Sequence, residues 1–350
     1  MKRAGFLFEK IISDENIMKA IHNATKNKKN RHGIVLECHE HPERFVKRIQ
    51  NILADEKFVF SPPIEKTRRE RKKIRHIKVP KFFPDQIIHW ALMQVIDPIV
   101  YRGAYRYSCG SVKGKGGLAA KKSIERFQKK DKKIKYVMKA DIHHFFESVD
   151  TDILKQKFRR VIKDAKVLRL IDGILDSGGS GLPIGYYTSQ GFANFYLQQF
   201  DHEVKEKCGI KHYTRYVDDV VFLDTNKRKL HKARLLLEAY LRKEKLHFKD
   251  DWQVWKIYSR PIDFVGYRFY KGYTLLRKKL LYSLTRTVRK IKQYGMRERQ
   301  VIRFLTYMGY SKRINFKKYY LERIKPTISK GRARKFMSWY AKHYGVPATT

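Results

Sequence analysis

Two aspartates stand side by side inside an apolar run at residues 215–221, RYVDDVV. Tyr216 and Val217 precede Asp218 and Asp219, and Val220, Val221 and Phe222 follow. Such β-branched and aromatic flanks favour strands that pack into a core. Neighbouring carboxylates repel each other and resist burial in their charged form. A hairpin over 212–224, with a tight turn at 217–219, reconciles the two demands: the flanks stay buried and the acids project at the apex. Aspartate is also common in ordinary polar turns, so the pair alone does not establish chemistry.

A third acid completes a pattern. KKIKYVMKADIHHFF, residues 132–146, reads as a strand that delivers Asp141 near its C-terminal end. Ile134, Tyr136, Met138 and Ala140 share one face, whereas Val137 and Asp141 point the other way. Three converging carboxylates are stable only when cations neutralise them. Mg²⁺ binds through few carboxylates and takes its other ligands from water and substrate phosphates. Two such ions, roughly 3.5–4 Å apart, suit an in-line phosphoryl displacement. Elsewhere the charge has the opposite sign: 79 Lys and Arg against 34 Asp and Glu, a net charge of +45. That excess goes beyond solubility and points to a polyanion, nucleic acid ahead of an acidic membrane surface. Tyr and Phe alternate with the basic residues, which suits base stacking beside phosphate contacts.

The remaining chain reads as α+β. Helices are expected at 13–28, with Ser13 or Asp14 as cap, and at about 42–55 and 84–97. SPPIEKTRRERKK, 61–73, reads as a polar break, and IRHIKVP, 74–80, as a strand. CGSVKGKGG, 109–117, reads as a mobile basic loop, because it lacks the order of a nucleotide P-loop. Asp150 caps a helix over 151–164, and a Gly-rich loop at 176–190 enters a helix running to about 206. A helix at 227–244, short strands in HFKDDWQVWKI and DFVGYRFY, and basic helices from about 275 complete the order. Strands and helices do not alternate regularly, so a doubly wound parallel sheet is excluded. Cys38, Cys109 and Cys208 are far apart, which fits a reducing, cytoplasmic setting. Cys38-His39-Glu40-His41 lacks the second half of a zinc site. There is no secretory signal or apolar stretch of membrane-spanning length.

Several segments together resemble one family. YVDD resembles the Y-x-D-D motif of reverse transcriptases. ADIHHFFESVD, 140–150, is similar to their first catalytic motif, and GLPIGYYTSQGFANFYLQQFD, 181–201, to the second, which lines the nucleotide pocket. RHIKVPKFFPDQIIHWAL, 75–92, resembles a fingers motif, and HFKDD and DFVGYRF stand where later palm motifs belong. Order and spacing agree across about 70–270.

The resemblance implies a right-hand polymerase fold. It would comprise an N-terminal helical extension at 1–60, fingers at 61–135, a palm at 136–272 whose antiparallel sheet carries the acids, and a basic helical thumb at 273–350. It implies that Asp141 and Asp218 bind two Mg²⁺ ions, with Mn²⁺ as an alternative, helped by the Ile142 carbonyl and with Asp219 completing the cluster. Arg75, Phe146, Ile184, Gly185 and Gln190 would form the dNTP pocket, Phe146 as the bulky gate against a ribose 2′-OH. Lys249 is a candidate general acid for leaving pyrophosphate, with Lys245 competing for that role. The basic tract 311–334 reads as a grip on duplex or structured RNA through Lys312, Arg313, Lys317, Lys318, Lys325, Lys330, Arg332 and Arg334.

Within the second motif, Ile184-Gly185-Tyr186-Tyr187-Thr188-Ser189-Gln190 departs from the usual Q-G-x-x-x-S-P. The form is similar to the reverse transcriptases of diversity-generating retroelements. That implies error-prone cDNA synthesis from a template-repeat RNA, with a structured RNA and a small basic oligomeric accessory protein as partners. Another bacterial reverse transcriptase, such as a phage-defence or abortive-infection enzyme, is the alternative. A retron enzyme ranks lower, because its characteristic segments are not found after the catalytic turn. A group II intron protein is disfavoured by the second motif. A catalytically inactive RNA-binding scaffold is the reading from a different class.

Overall fold

The computed structural model describes residues 3–26, 28, 32–55, 57–70, 73–312 and 314–344. Arg313, one of the expected nucleic-acid contacts, lies outside them. The chain divides into two units, one formed by Met1–Gly116, Met138–Phe222 and Arg228–Gln253, the other by Gly117–Val137, Leu223–Lys227 and Val254–Thr350.

The first unit begins with amphipathic helices. Asp14–Thr25 is capped by Ser13, whose side chain accepts from the Asn16 amide at 3.3 Å. It buries Ile17, Ala20, Ile21 and Ala24. Polar pairs lock it to the helix Ile87–Val100: Asn16 donates to the Ala91 carbonyl at 3.0 Å, and Gln94 to the Asn16 carbonyl at 3.0 Å. Glu43–Ala54 follows the expected bounds closely.

Residues 64–70, within the stretch expected to be a break, are not one. Ile64–Glu70 forms strand β1, paired antiparallel with β2, Lys73–Val79, in the register Ile64↔Val79 to Glu70↔Lys73. The β1 side chains from Ile64 to Arg69 are exposed and, Ile64 and Thr67 apart, charged, so no apolar period marks it. Backbone pairing alone makes it a strand. Loop 109–117 also differs from expectation, because Lys115 ties it down by donating to the carbonyls of Arg106 at 2.9 Å and Ser108 at 3.1 Å. The helix expected to reach 206 is interrupted: Tyr187–Tyr196 ends at Leu197, and Gln198–His202 and Glu203–Lys207 follow as separate turns. Helices Ile34–Glu40, Gly117–Lys130 and Ala165–Ser177 add to the elements legible in the sequence.

β3 (Tyr136–Asp141), β4 (His212–Tyr216) and β5 (Asp219–Asp224) lie in the order β4-β5-β3. Val220, Val221, Phe222, Met138 and Ala140 are buried, which confirms the hairpin reading of 212–224.

The second unit holds the helix Gly117–Lys130 and an antiparallel sheet of Ile262–Phe264, Tyr267–Phe269 and Thr274–Leu276. The helices Lys278–Tyr294, Glu298–Tyr310 and Lys330–Tyr344 follow. Lys121 is buried in this unit, and Glu125 neutralises it at 2.7 Å. Lys312, Lys317, Lys318, Lys325, Arg332 and Arg334 are exposed, and Lys330 is half-buried. Among the described residues, no helix is long and apolar enough to cross a membrane.

His89 sits fully buried in the first unit, its Nδ1 3.3 Å from the Thr188 hydroxyl and its Nε2 without a partner. Burial pulls its pKa down to about 3 from 6.5. The unfolded chain therefore takes up a proton before the folded one does. Stability from the neutral ring is complete above pH 6.5 and is lost as pH falls toward the folded value. The loss should reach about 2 kcal/mol by pH 5. Urea melts of wild type and His89→Phe at pH 7.5 and pH 5 test this; the wild type should lose that much more stability than the variant.

Candidate active site

The hairpin turn and the end of β3 bring the predicted acids together. A two-residue loop, Val217-Asp218, joins β4 to β5, with Val217 at φ 60°. The Ile142 amide donates to the Asp218 carbonyl at 3.3 Å, which anchors the turn against the end of β3. The Asp141 and Asp218 carboxyls lie close enough for each to feel the other's charge. Burial, then the Asp141 charge, raises the pKa of Asp218. Burial pushes Asp219 up to about 7, against the pull of the Lys139 ammonium 3.3 Å away.

Lys139 was not singled out by the sequence, where it is one of many lysines. Its signal is positional: two residues before Asp141 on β3, it shares that acid's face. Lys249 and Lys245 pair with different acids. Lys249 Nζ donates to Asp141 Oδ1 at 2.6 Å, and its amide donates to the Asp141 carbonyl at 2.8 Å. Lys245 instead pairs with Asp150. Burial lowers the Lys249 pKa, but the bond to Asp141 together with the charges of Asp141, Asp218 and Asp251 outweighs it, and the net direction is up.

Among the described residues, no three His, Cys, Asp or Glu side chains form a closed metal cage. Ammonium groups hold two of the acids, and Asp219 Oδ1 is buried with no hydrogen-bond partner. Buried carboxyls with raised pKa values and an unpaired oxygen mark negative charge short of compensation. That donor set fits Mg²⁺, which uses one or two carboxylates and substrate phosphates rather than an all-protein cage.

The expected pocket residues lie around a second junction. Phe146 is half-buried and meets the buried Phe145 edge to face at 5.6 Å. Its carbonyl accepts from the Leu182 amide at 2.6 Å. Two residues on, the Ile184 carbonyl accepts from the Lys78 amide of β2 at 3.1 Å. Gly185, at φ 129°, lies so close to β2 that a Cβ there would stand 2.5 Å from the Lys78 carbonyl oxygen. The loop is thus pinned between Phe146 and the strand that carries Arg75. Arg75 itself is exposed and pairs in register with Arg68. Gln190 is tied to the 109–117 loop, its side-chain oxygen accepting from Ser111 Oγ at 2.7 Å. In the second unit, burial and the nearby charges of Lys312 and Arg334 lower the pKa of Lys330, the sign of a crowded basic patch.

Comparison with known proteins agrees with this geometry. Residues 64–269 match the family described as reverse transcriptase (RNA-dependent DNA polymerase). The retron Ec73 reverse transcriptase of Escherichia coli is 32% identical over 125 residues, covering 32% of this chain and 39% of that protein. The chain therefore matches well under half of that relative's length. Among solved structures, apo telomerase from Candida tropicalis aligns with a TM-score of 0.55 at 13% identity, covering 94% of this chain and 78% of its own. That likeness concerns the fold, the right-hand polymerase fold. With more than half of its length matched, the chain belongs to the reverse transcriptase family of RNA-dependent DNA polymerases.

Proposed function

We propose that this chain copies a structured template RNA into cDNA, with errors, as the polymerase of a diversity-generating retroelement. The contact between Asp141 and Asp218, from strands distant in sequence, carries the catalytic part of this reading. Asp141 and Asp218, with the Ile142 carbonyl, would hold two divalent ions, and Asp219 would complete the charge. When bound, such ions stabilise the attacking and leaving oxygens of an in-line nucleotidyl transfer. Phe146 fills the space that a ribose 2′-OH would need. Lys249 holds a proton at Nζ beside Asp141, where it can serve the departing pyrophosphate. The exposed cations of 312–334 grip the nucleic-acid backbone, and a small basic oligomeric protein is the expected accessory partner. Primer extension on an RNA template with Mg²⁺ and dNTPs tests the activity; failure of the wild type to extend would refute it.

The retroelement assignment rests on Ile184. A branched apolar side chain cannot donate or accept where glutamine could, so the pocket grips base pair and sugar less firmly. Ile184→Gln should lower misincorporation opposite template adenine by about tenfold. Sequencing of cDNA products measures it, and unchanged error rates would remove this explanation. A second reading, a retron-type or defence enzyme, is favoured by the match to the retron Ec73 enzyme. Neighbouring DNA separates the two: imperfect repeats differing at adenines belong to the first.

A further inference from the structure

Behind the catalytic turn lies a charge that the chemistry above does not use. Arg215 and Asp201 are each 1% exposed and form a two-pronged ion pair, Nε to Oδ1 at 2.8 Å and one terminal nitrogen to Oδ2 at 2.7 Å. The other terminal nitrogen donates to Asn194 Oδ1 at 3.2 Å and to the Val217 carbonyl at 2.9 Å. Asn194 in turn donates to the Gly110 carbonyl at 2.9 Å. Gly110 lies directly against the turn, where a Cβ would stand 2.6 Å from the Val217 amide nitrogen.

Val217 is the residue this network holds. A β-branched side chain at φ 60° is sterically costly, so the strained turn persists only because its surroundings over-determine it. A buried ion pair is weak evidence for stability and better evidence for a fixed conformation. Here the guanidinium grips the carbonyl of the strained residue whose next neighbour is Asp218.

We propose that Arg215, fixed by Asp201 and Asn194, is a positioning residue that holds the strained Val217 turn and so aims the Asp218 carboxyl at Asp141. It touches neither substrate nor metal. This assignment rests on the polymerase reading above. Lysine cannot replace the planar fork, because one ammonium cannot serve Asp201, Asn194 and Val217 together. Glycine at 217 adopts the same φ without strain, so it removes the need for the clamp.

Single-turnover primer extension, giving the incorporation rate and the dNTP dissociation constant separately, tests the proposal. Arg215→Lys should slow incorporation by about 10²-fold, the effect of misplacing a reacting group by about 1 Å. The dNTP dissociation constant should stay within about threefold of wild type. Adding Val217→Gly to Arg215→Lys should restore the rate by at least about tenfold. A merely structural loss would not be rescued by a second, cavity-forming change. Should Arg215→Lys fail to fold, Asp201→Asn keeps the shape of the site but weakens the fork. It should slow incorporation by about tenfold, again without a change in dNTP affinity. Arg215→Lys at a near wild-type rate, or a double variant no faster than Arg215→Lys alone, overturns the assignment. An inactive wild type overturns the polymerase reading instead, and this one with it.

Discussion

Asp218→Ala with Asp219→Ala should abolish nucleotide incorporation, a loss on the order of 10⁴-fold or more, while the protein melts at the same or a higher temperature. The two halves of this expectation have one cause. Asp219 has a pKa pushed up to about 7 by burial and an oxygen with no hydrogen-bond partner. Asp218 is held against Asp141, like charge beside like charge. These are costs that a fold bears for a site, and alanine removes them. A rise of about 1–2 °C is expected from relieving about 1 kcal/mol in a chain of 350 residues. Mg²⁺ supplies a readout independent of turnover: at about ten times its dissociation constant it should stabilise the wild type by about 1.4 kcal/mol. The double variant should show no such shift. Lost activity with a collapsed melting transition would mean that the acids had been assigned to the wrong task.

Phe146→Ala should admit ribonucleotides. The discrimination between dNTP and rNTP, measured as the ratio of incorporation efficiencies, should fall by about 10²-fold. Incorporation of the deoxynucleotide itself should fall only a few-fold. Phe146 is held in place by the buried ring of Phe145 and, through its carbonyl, by the Leu182 amide. Its side chain is half-buried, so removal opens space at the pocket without excavating the core. If the ratio does not change while deoxynucleotide incorporation collapses, Phe146 is a packing residue and the gate lies elsewhere.

Much of the site was legible before any coordinates. A carboxylate pair between β-branched runs permits few local structures, and the hairpin over 212–224 is one of them. Asp141 and Phe146 could be named from a strand pattern and a motif order. Lys249 could be named but not separated from Lys245, because nearby lysines look alike in one dimension. The backbone bridging of 141–143 to 247–249 brings the first of them onto Asp141. β1 was misread because its charged side chains carry no period; its partner strand makes it a strand.

What the residues determined by themselves was the local commitment: where apolar faces form, where helices begin, and that two adjacent acids fall at a hairpin turn. Those outcomes depend on neighbours a few positions away, whose spacing the chain itself carries. Tertiary structure decided which distant groups meet: Asp141 with Asp218, Lys139 with Asp219, and Arg215 with Asp201 and the Val217 carbonyl. Electrostatic and hydrogen-bond energies depend on ångströms between atoms and on exclusion of water, and neither quantity is a property of sequence distance.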